Sequence, residues 1–345
     1  MKYCVWNNKG GVGKSFITYS VAVEFAKKNP DRKVVVIDLC PQANTSAMIL
    51  GGDGQGEQHL LEFSGMGRNG KTIAGYLQDR RSKSIFNKTG TELSFFVQAK
   101  DYNASMPKNL YLLPGDMELD ICSMIIDYAA RDEFEKLAWV KSRSFARDLI
   151  DSFEIEYGES VFFIDTNPSF ANYTQLGIVA ADRLLVPCTA DSFSIRGVCN
   201  LMRLIYGVKV NDGLKSDDDL FAMFARHMKQ GSVVLPKIHA LVLNKSRRFD
   251  KKASKAWEAH ADELKTIIDN WRREKYVEYF TNFPQNQIIF DLKDANTIAT
   301  VLNNNGIMPS ELKQKTYEVY KESIMVNKTQ IDPYLQNLKE IIEFL

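Results

Sequence analysis

The chain has 345 residues, 45% of them hydrophobic and 25% charged, with a formal net charge of +1 and five cysteines. That length and apolar content can bury a full core without disulfides, and the near-zero net charge excludes a whole-molecule field that would gather nucleic acid or anionic lipid, so any such contact must come from a local patch. Cys4, Cys40, Cys122, Cys188 and Cys199 are odd in number, irregularly spaced and without a CxxC pair, which argues against a disulfide framework or a zinc site and for reduced thiols in a cytoplasmic protein.

The chain opens on a short β run, Lys2 to Trp6, with no basic segment leading into an apolar one; no export signal is expected. Asn7 to Gly13 is a glycine-rich turn. Ser15 to Lys28 carries Ile17, Val21 and Phe25 at helical spacing, with the small Ala22 and Ala26 beside them. Lys33 to Ile37 is a continuous apolar run, suited to a strand buried on both faces of a parallel sheet. Strand, turn, helix and strand in this order predict a right-handed βαβ unit. Further strands are predicted at Leu110 to Leu113, Val161 to Ile164, Leu184 to Val186 and Ile238 to Leu243, with a weaker one at Leu93 to Val97. Helices are predicted at Met117 to Ala130, Phe134 to Phe153, Ala171 to Ala181 and Arg196 to Tyr206. The expected architecture is α/β: a mostly parallel sheet flanked by helices, with its active edge at the carboxyl ends of the strands. Residues 1–345 read as one domain with peripheral insertions around 51–109, 208–236 and 247–279. The end, from Glu311 to Leu345, reads as two short helices broken near Pro333. Its stripe of Ile331, Tyr334, Leu335, Leu338, Ile341, Ile342 and Leu345 is expected to pack on the domain rather than on a membrane, because Asp332, Glu340 and Glu343 spoil a basic face. No apolar stretch approaches the ~20 residues that span a bilayer.

The chemistry is concentrated in Asn8-Lys9-Gly10-Gly11-Val12-Gly13-Lys14-Ser15, which follows a strand and opens a helix. That context makes it a phosphate-binding loop. Glycines let backbone N–H groups turn inward around an anion, and the helix start adds partial positive charge. Lys14 can reach the β- and γ-phosphates, and the Ser15 hydroxyl can meet Mg²⁺; Gly10, Gly11, Val12, Gly13 and Phe16 complete the nucleotide cradle. Two carboxylates, Asp38 and Asp165, end predicted strands and belong at the same sheet edge. Mg²⁺ takes few protein ligands and keeps several waters, so Asp165 is expected to hold one such water, and Asp38 to meet the metal or a lysine.

The loop Lys-Gly-Gly-Val-Gly-Lys-Ser resembles the deviant Walker A loop of the ParA/MinD ATPases. The likeness continues at Asp38-Leu39-Cys40-Pro41-Gln42-Ala43-Asn44, similar to switch I, at Leu112-Leu113-Pro114-Gly115, at Phe163-Ile164-Asp165-Thr166-Asn167-Pro168, similar to the Walker B strand and switch II, and at Ala181-Asp182 through Val186-Pro187. It covers residues 1 to about 205 and fades afterwards. The resemblance implies an ATP-binding ATPase that forms a homodimer with ATP and Mg²⁺, in which Lys9 crosses the interface to the partner's phosphates. It implies partition of DNA or positioning of a cargo, with non-specific DNA and a ParB-like adaptor as partners and no membrane. Cys40 stands where the family usually has an aspartate that positions the attacking water, so it belongs to the catalytic set with Lys9, Lys14 and Asp38 while implying slow hydrolysis. A low-pKa, reactive Cys40 beside Lys9 and Lys14 is the alternative. Asn244, at the end of Leu241-Val242-Leu243-Asn244-Lys245, and Pro284 resemble base-contacting positions, and Arg247 in place of an aspartate favours ATP over GTP. Arg247, Arg248, Lys251, Lys252 and Lys255 form a basic cluster that reads either as a DNA site or as a solvated helix face. Two other functions stay open: a nucleotide-gated interaction switch with little turnover, and a metabolic relative such as a reductase or an amide-forming ligase, the reductase lacking a recognisable cluster motif at Cys122.

Overall fold

The computed structural model of the chain describes residues 1–65, 70–208, 222–246, 251–281 and 287–345, with 192, 245–246 and 251–257 described by their backbone alone. Eight strands form one sheet: β1 (Lys2–Val5), β2 (Val34–Leu39), β3 (Val97–Gln98), β4 (Leu110–Leu113), β5 (Val161–Thr166), β6 (Arg183–Cys188), β7 (Lys237–Ser246) and β8 (Ile289–Lys293). Their order is β3-β4-β2-β5-β1-β6-β7-β8, parallel throughout except for the antiparallel β3–β4 pair. The apolar runs behave as expected for strands covered on both faces: every residue of β2 and of β5 is buried.

Between the strands run α1 (Lys14–Lys28), α2 (Asn44–Ile49), α3 (Gln55–Ser64), α4 (Ile73–Lys83), α5 (Leu119–Ala130), α6 (Ala138–Arg143), α7 (Phe145–Tyr157), α8 (Asn172–Ala180), α9 (Ser192–Tyr206), α10 (Met223–Gln230), α11 (Lys251–Asn270), α12 (Asn296–Asn305) and α13 (Lys328–Phe344). One core layer packs α4, α5, α7, α8 and α9 on the sheet, and the other packs α1, α2, α12 and α13. Register fixes the site. Asp38 on β2 lies beside Asp165 on β5, and Val5, the last residue of β1, lies beside both Asp165 and Leu185. The loop after β1 therefore emerges between the two aspartate-bearing strand ends and the end of β6.

Four expectations are corrected. Leu93 to Val97 is not a strand: Glu92 to Phe95 is a 3₁₀ turn and only Val97–Gln98 pairs. The buried Glu92 carboxylate accepts the N–H groups of Thr89 (2.6 Å) and Gly90 (3.0 Å), which wraps the backbone around it. Phe134 to Phe153 is two helices, because Leu137 takes a left-handed φ of 63° and Ser144 a ψ of 2°, and the Asp132 carboxylate holds the N–H of Phe134 in a turn. The C-terminal segment is a hairpin, β9 (Lys315–Val319) and β10 (Glu322–Val326), followed by the unbroken α13. Pro333 sits in the second turn of α13 and removes one ladder bond, a cost of about 3 kcal/mol. Ile331, Tyr334, Leu338, Ile341 and Ile342 are buried on that helix, and at roughly 1.5–3 kcal/mol each they outweigh it; Asn327 and Gln330 close a capping box at its start. Finally, the 51–109 stretch is not merely peripheral, since α3 packs on α2 and walls the cavity described next.

Candidate functional site

The phosphate loop is held from three sides. Asn7 is buried and bridges β1 to β6, its amide donating to the Pro187 carbonyl (2.7 Å) while its Oδ1 accepts the Lys9 N–H (3.0 Å). Gly11 and Gly13 adopt φ of 71° and 84°, a region glycine enters without a Cβ penalty. Asn244, buried at the end of β7, donates its amide to the Val12 carbonyl (2.9 Å), and a Cβ on Gly13 would fall 2.3 Å from that amide nitrogen. Gly13 is the N-cap of α1, with no side-chain cap and no acidic residue in the first turn. The first-turn N–H groups and the positive end of the helix are thus left for an anion. Lys14 is buried and donates to the carbonyls of Lys9 (3.0 Å) and Asn7 (3.3 Å). Burial lowers its pKa to about 8, with Asp165 pulling the other way; an anion beside it would restore the full charge.

The two aspartates tie α1, α2 and the turn after β2 to the sheet. Asp165 accepts hydroxyl bonds from Thr45 (2.6 Å) and Thr18 (3.3 Å). It therefore joins α1, α2 and β5. Asp38 accepts the Ser46 N–H (3.0 Å), the Ser46 hydroxyl (2.7 Å) and the Cys40 N–H (3.0 Å), which folds the chain after β2 back onto its own strand end. Both carboxylates are fully buried, and their pKa values are raised, chiefly by burial, that of Asp38 to about 7. Thr45 links Asp165 to the loop, its hydroxyl lying 3.2 Å from the Ser15 carbonyl. Asp38 faces into the α2 turn rather than toward a lysine.

A cavity of about 880 Å³ opens over the loop, lined by Gly11, Gly13, Lys14, Ser15 and Phe16 on one side. Cys40, Gln42, Asn44 and Asn167 form its rim, and Asp53, Glu57, Asn303 and Tyr320 its far wall. The Cys40 thiol is buried, and burial, with the charges of Asp38 and Asp165, pushes its pKa up to about 12. That direction argues against the low-pKa alternative and for a neutral thiol, a weak acceptor. Polar acceptors at the rim come instead from amides. Asn44 donates to Gln42 Oε1 (3.3 Å), and Asn167 Oδ1 accepts the Ser169 N–H (3.1 Å). Sequence reading missed these three, although all lie inside the two switch-like motifs.

Lys9 is drawn back onto its own chain. Its ammonium pairs with Asp191 Oδ2 (2.5 Å) and donates to the Thr189 hydroxyl (2.7 Å), at the start of α9, whose N-cap is Asp191. Asn244 braces the loop rather than lining the cavity. Pro284, Arg247 and Arg248 lie outside the described residues, as do the side chains of Lys251, Lys252 and Lys255. All five cysteines are unpaired. Among the described residues, no helix is long and apolar enough to cross a membrane.

Comparison with known proteins agrees with this geometry. The family model described as an AAA domain matches residues 2–217. The chain is 23% identical over 257 residues to a ParA family protein of Mycoplasma genitalium, covering 70% of this chain and 82% of that one. It is 25% identical to the chromosome partitioning protein ParA of Myxococcus xanthus, covering 64% of each. In solved structures the fold recurs in a Cyanothece McdA–ATP complex (TM-score 0.59, 16% identity, 99% of this chain and 96% of that). It recurs too in a plasmid partition protein of Borrelia burgdorferi bound to AMPPNP (TM-score 0.53, 17% identity, 99% and 97%). The chain belongs to the AAA domain family and, within it, is a ParA/MinD-like P-loop ATPase.

Proposed function

We propose that the chain binds ATP with Mg²⁺ in the cavity over residues 9–16, forms a homodimer through the bound nucleotide, and hydrolyses it slowly in the service of partition or positioning. The observation that carries the reading is the uncapped start of α1, with the buried Lys14 ammonium, the cavity-lining Ser15 and the buried Asp165 gathered around Thr45, whose hydroxyl lies 3.2 Å from the Ser15 carbonyl and 2.6 Å from Asp165. Backbone N–H groups of Gly11 to Ser15 and Lys14 would hold the phosphates. Ser15 and, behind it, Asp165 and Thr45 would orient the metal, which supplies charge neutralisation during phosphoryl transfer. Lys9 would have to exchange Asp191 for a partner's phosphates, so dimerisation competes with the ion pair seen here. The relatives that carry partition in their names support the cargo assignment.

Cys40 favours a second reading of the same site. With a neutral thiol at the rim, nucleotide binding can gate an interaction with little turnover. Orienting the attacking water would then fall to Gln42, Asn44 or Asn167. Single-turnover hydrolysis at saturating MgATP, with light scattering on a non-hydrolysable analogue, tests both. Binding and dimerisation with slow turnover fit the first reading, dimerisation without turnover fits the second, and failure to bind ATP overturns both.

A further inference from the structure

A second cavity lies at the opposite edge of the sheet from the phosphate loop, at the amino ends of β2 and β4. This recess of about 560 Å³ is walled by Lys27, Lys33, Lys100 and Lys108. Its apolar lining includes the buried Ala26, Met106 and Met308, and Glu311 is the one carboxylate among the lining residues. Three of the ammonium groups rest on neutral partners. Lys27 donates to the Ser310 hydroxyl (2.7 Å), Lys100 to the Ala104 carbonyl, and Lys33 to the Tyr111 hydroxyl (3.4 Å). Among the described residues none of the four lysines forms an ion pair. Like charges around one recess repel each other, and an anion among them removes that cost. The lysines are not needed to finish α1. Asn109 is buried, and its amide nitrogen donates to the carbonyls of Ala26 (3.0 Å), Asn29 (2.9 Å) and Arg32 (2.8 Å), which closes the helix end.

We propose that this recess binds a small ligand carrying two or more phosphate groups, at a site separate from the cavity over residues 9–16. The volume lies within the roughly 300–1,000 Å³ of small-molecule sites. Lysines serve phosphate as mobile point charges on flexible stems, so the four can leave their neutral partners and converge on one ligand. The buried apolar lining takes the ligand's body while the rim takes its charge. An extended polyanion such as duplex DNA fits less well. It needs a continuous positive face, and here the exposed Asp31 and Asp101 interrupt the surface outside the recess. A small ligand inside the recess avoids both carboxylates. The site stands on a different edge of the sheet from the proposed ATP site and does not rest on that reading.

The test uses the full chain, with a non-hydrolysable ATP analogue and Mg²⁺ in excess to occupy the phosphate loop, and sodium tripolyphosphate as the probe. Isothermal titration calorimetry should show Lys100→Gln/Lys108→Gln binding the probe at least about tenfold more weakly than the wild type, a difference of about 1.4 kcal/mol. Lys265→Gln/Lys315→Gln removes the same two charges from α11 and β9 and should bind as the wild type does. A second measurement needs no variant. The wild type is labelled with pyridoxal phosphate, reduced with borohydride and mapped by peptide mass spectrometry. Tripolyphosphate should suppress labelling of Lys33, Lys100 and Lys108 and leave Lys315 labelled as before. No binding of the probe, equal binding by Lys100→Gln/Lys108→Gln, or equal weakening of both double variants would overturn the proposal. Protection of these lysines by a DNA duplex but not by tripolyphosphate would overturn it too, by assigning the face to a polymer.

Discussion

The two walls of the cavity are built differently. The loop wall, residues 9–16, is one continuous segment whose working groups are mostly backbone N–H groups, positioned by two left-handed glycines and a helix start. The opposite wall is assembled from α3, the end of α12 and the tip of the β9–β10 hairpin, which are distant in sequence. Asp53 N–H donates to the Asn303 carbonyl (3.1 Å), and the Tyr320 hydroxyl bonds the Asp53 carboxylate. A wall made of backbone offers substitution few working side chains to remove other than its charged residue, whereas a wall made of side chains can be altered piece by piece. The first should therefore set whether a nucleotide binds, and the second how it is released or used.

The largest effect is expected at Lys14. Lys14→Ala should weaken MgATP binding by ~100-fold or more, matching the roughly 2–5 kcal/mol cost of truncating one side of a buried charge contact. Equilibrium binding of labelled ATP measures it, and near wild-type affinity would break the division between the walls. Next is Cys40→Asp, which should raise the single-turnover rate by about 10²-fold if the water lacks an orienting carboxylate. An unchanged rate would move that role to Gln42, Asn44 or Asn167. The same residue gives a simpler readout. With its pKa near 12, Cys40 should be alkylated at pH 8 more slowly than free glutathione, as peptide mass spectrometry would show; faster labelling would restore the reactive-thiol reading.

Lys9→Ala should keep ATP affinity but weaken analogue-dependent dimerisation by about tenfold, the scale of one charge-assisted hydrogen bond at 1.5–3 kcal/mol. Sedimentation or light scattering would show it, and a full dimer in the variant would leave Lys9 as only the partner of Asp191. The smallest effect belongs to the far wall. Tyr320→Phe removes an exposed contact to Asp53 and should cost under about 1 kcal/mol of stability. Stopped-flow release of a fluorescent ATP analogue should nonetheless quicken. If release is unchanged, the hairpin plays no part in retaining nucleotide.

The sequence alone determined what depends on neighbours in the chain. Six of the eight sheet strands appear where continuous apolar runs predicted them, because a strand buried on both faces has no polar residue to disguise it. The phosphate loop was legible because its chemistry needs glycines, a lysine and a hydroxyl in fixed succession, between a strand and a helix. The short edge strand β8, the hairpin and the unbroken α13 were not legible, since their stability comes from packing against remote segments rather than from local pattern. Tertiary structure alone decided that Asp38 turns into α2, that Asn244 braces Val12, that Lys9 rests on Asp191, and that the Cys40 thiol is buried. Each of those depends on which groups meet across the sheet edge and on how much water is excluded there. For Asn244 and Lys9 the hydrogen-bonding partners stand 232 and 182 positions away, and for Asp38 and Cys40 the exclusion of water comes from the packed sheet around them; neither leaves a periodic trace in the chain.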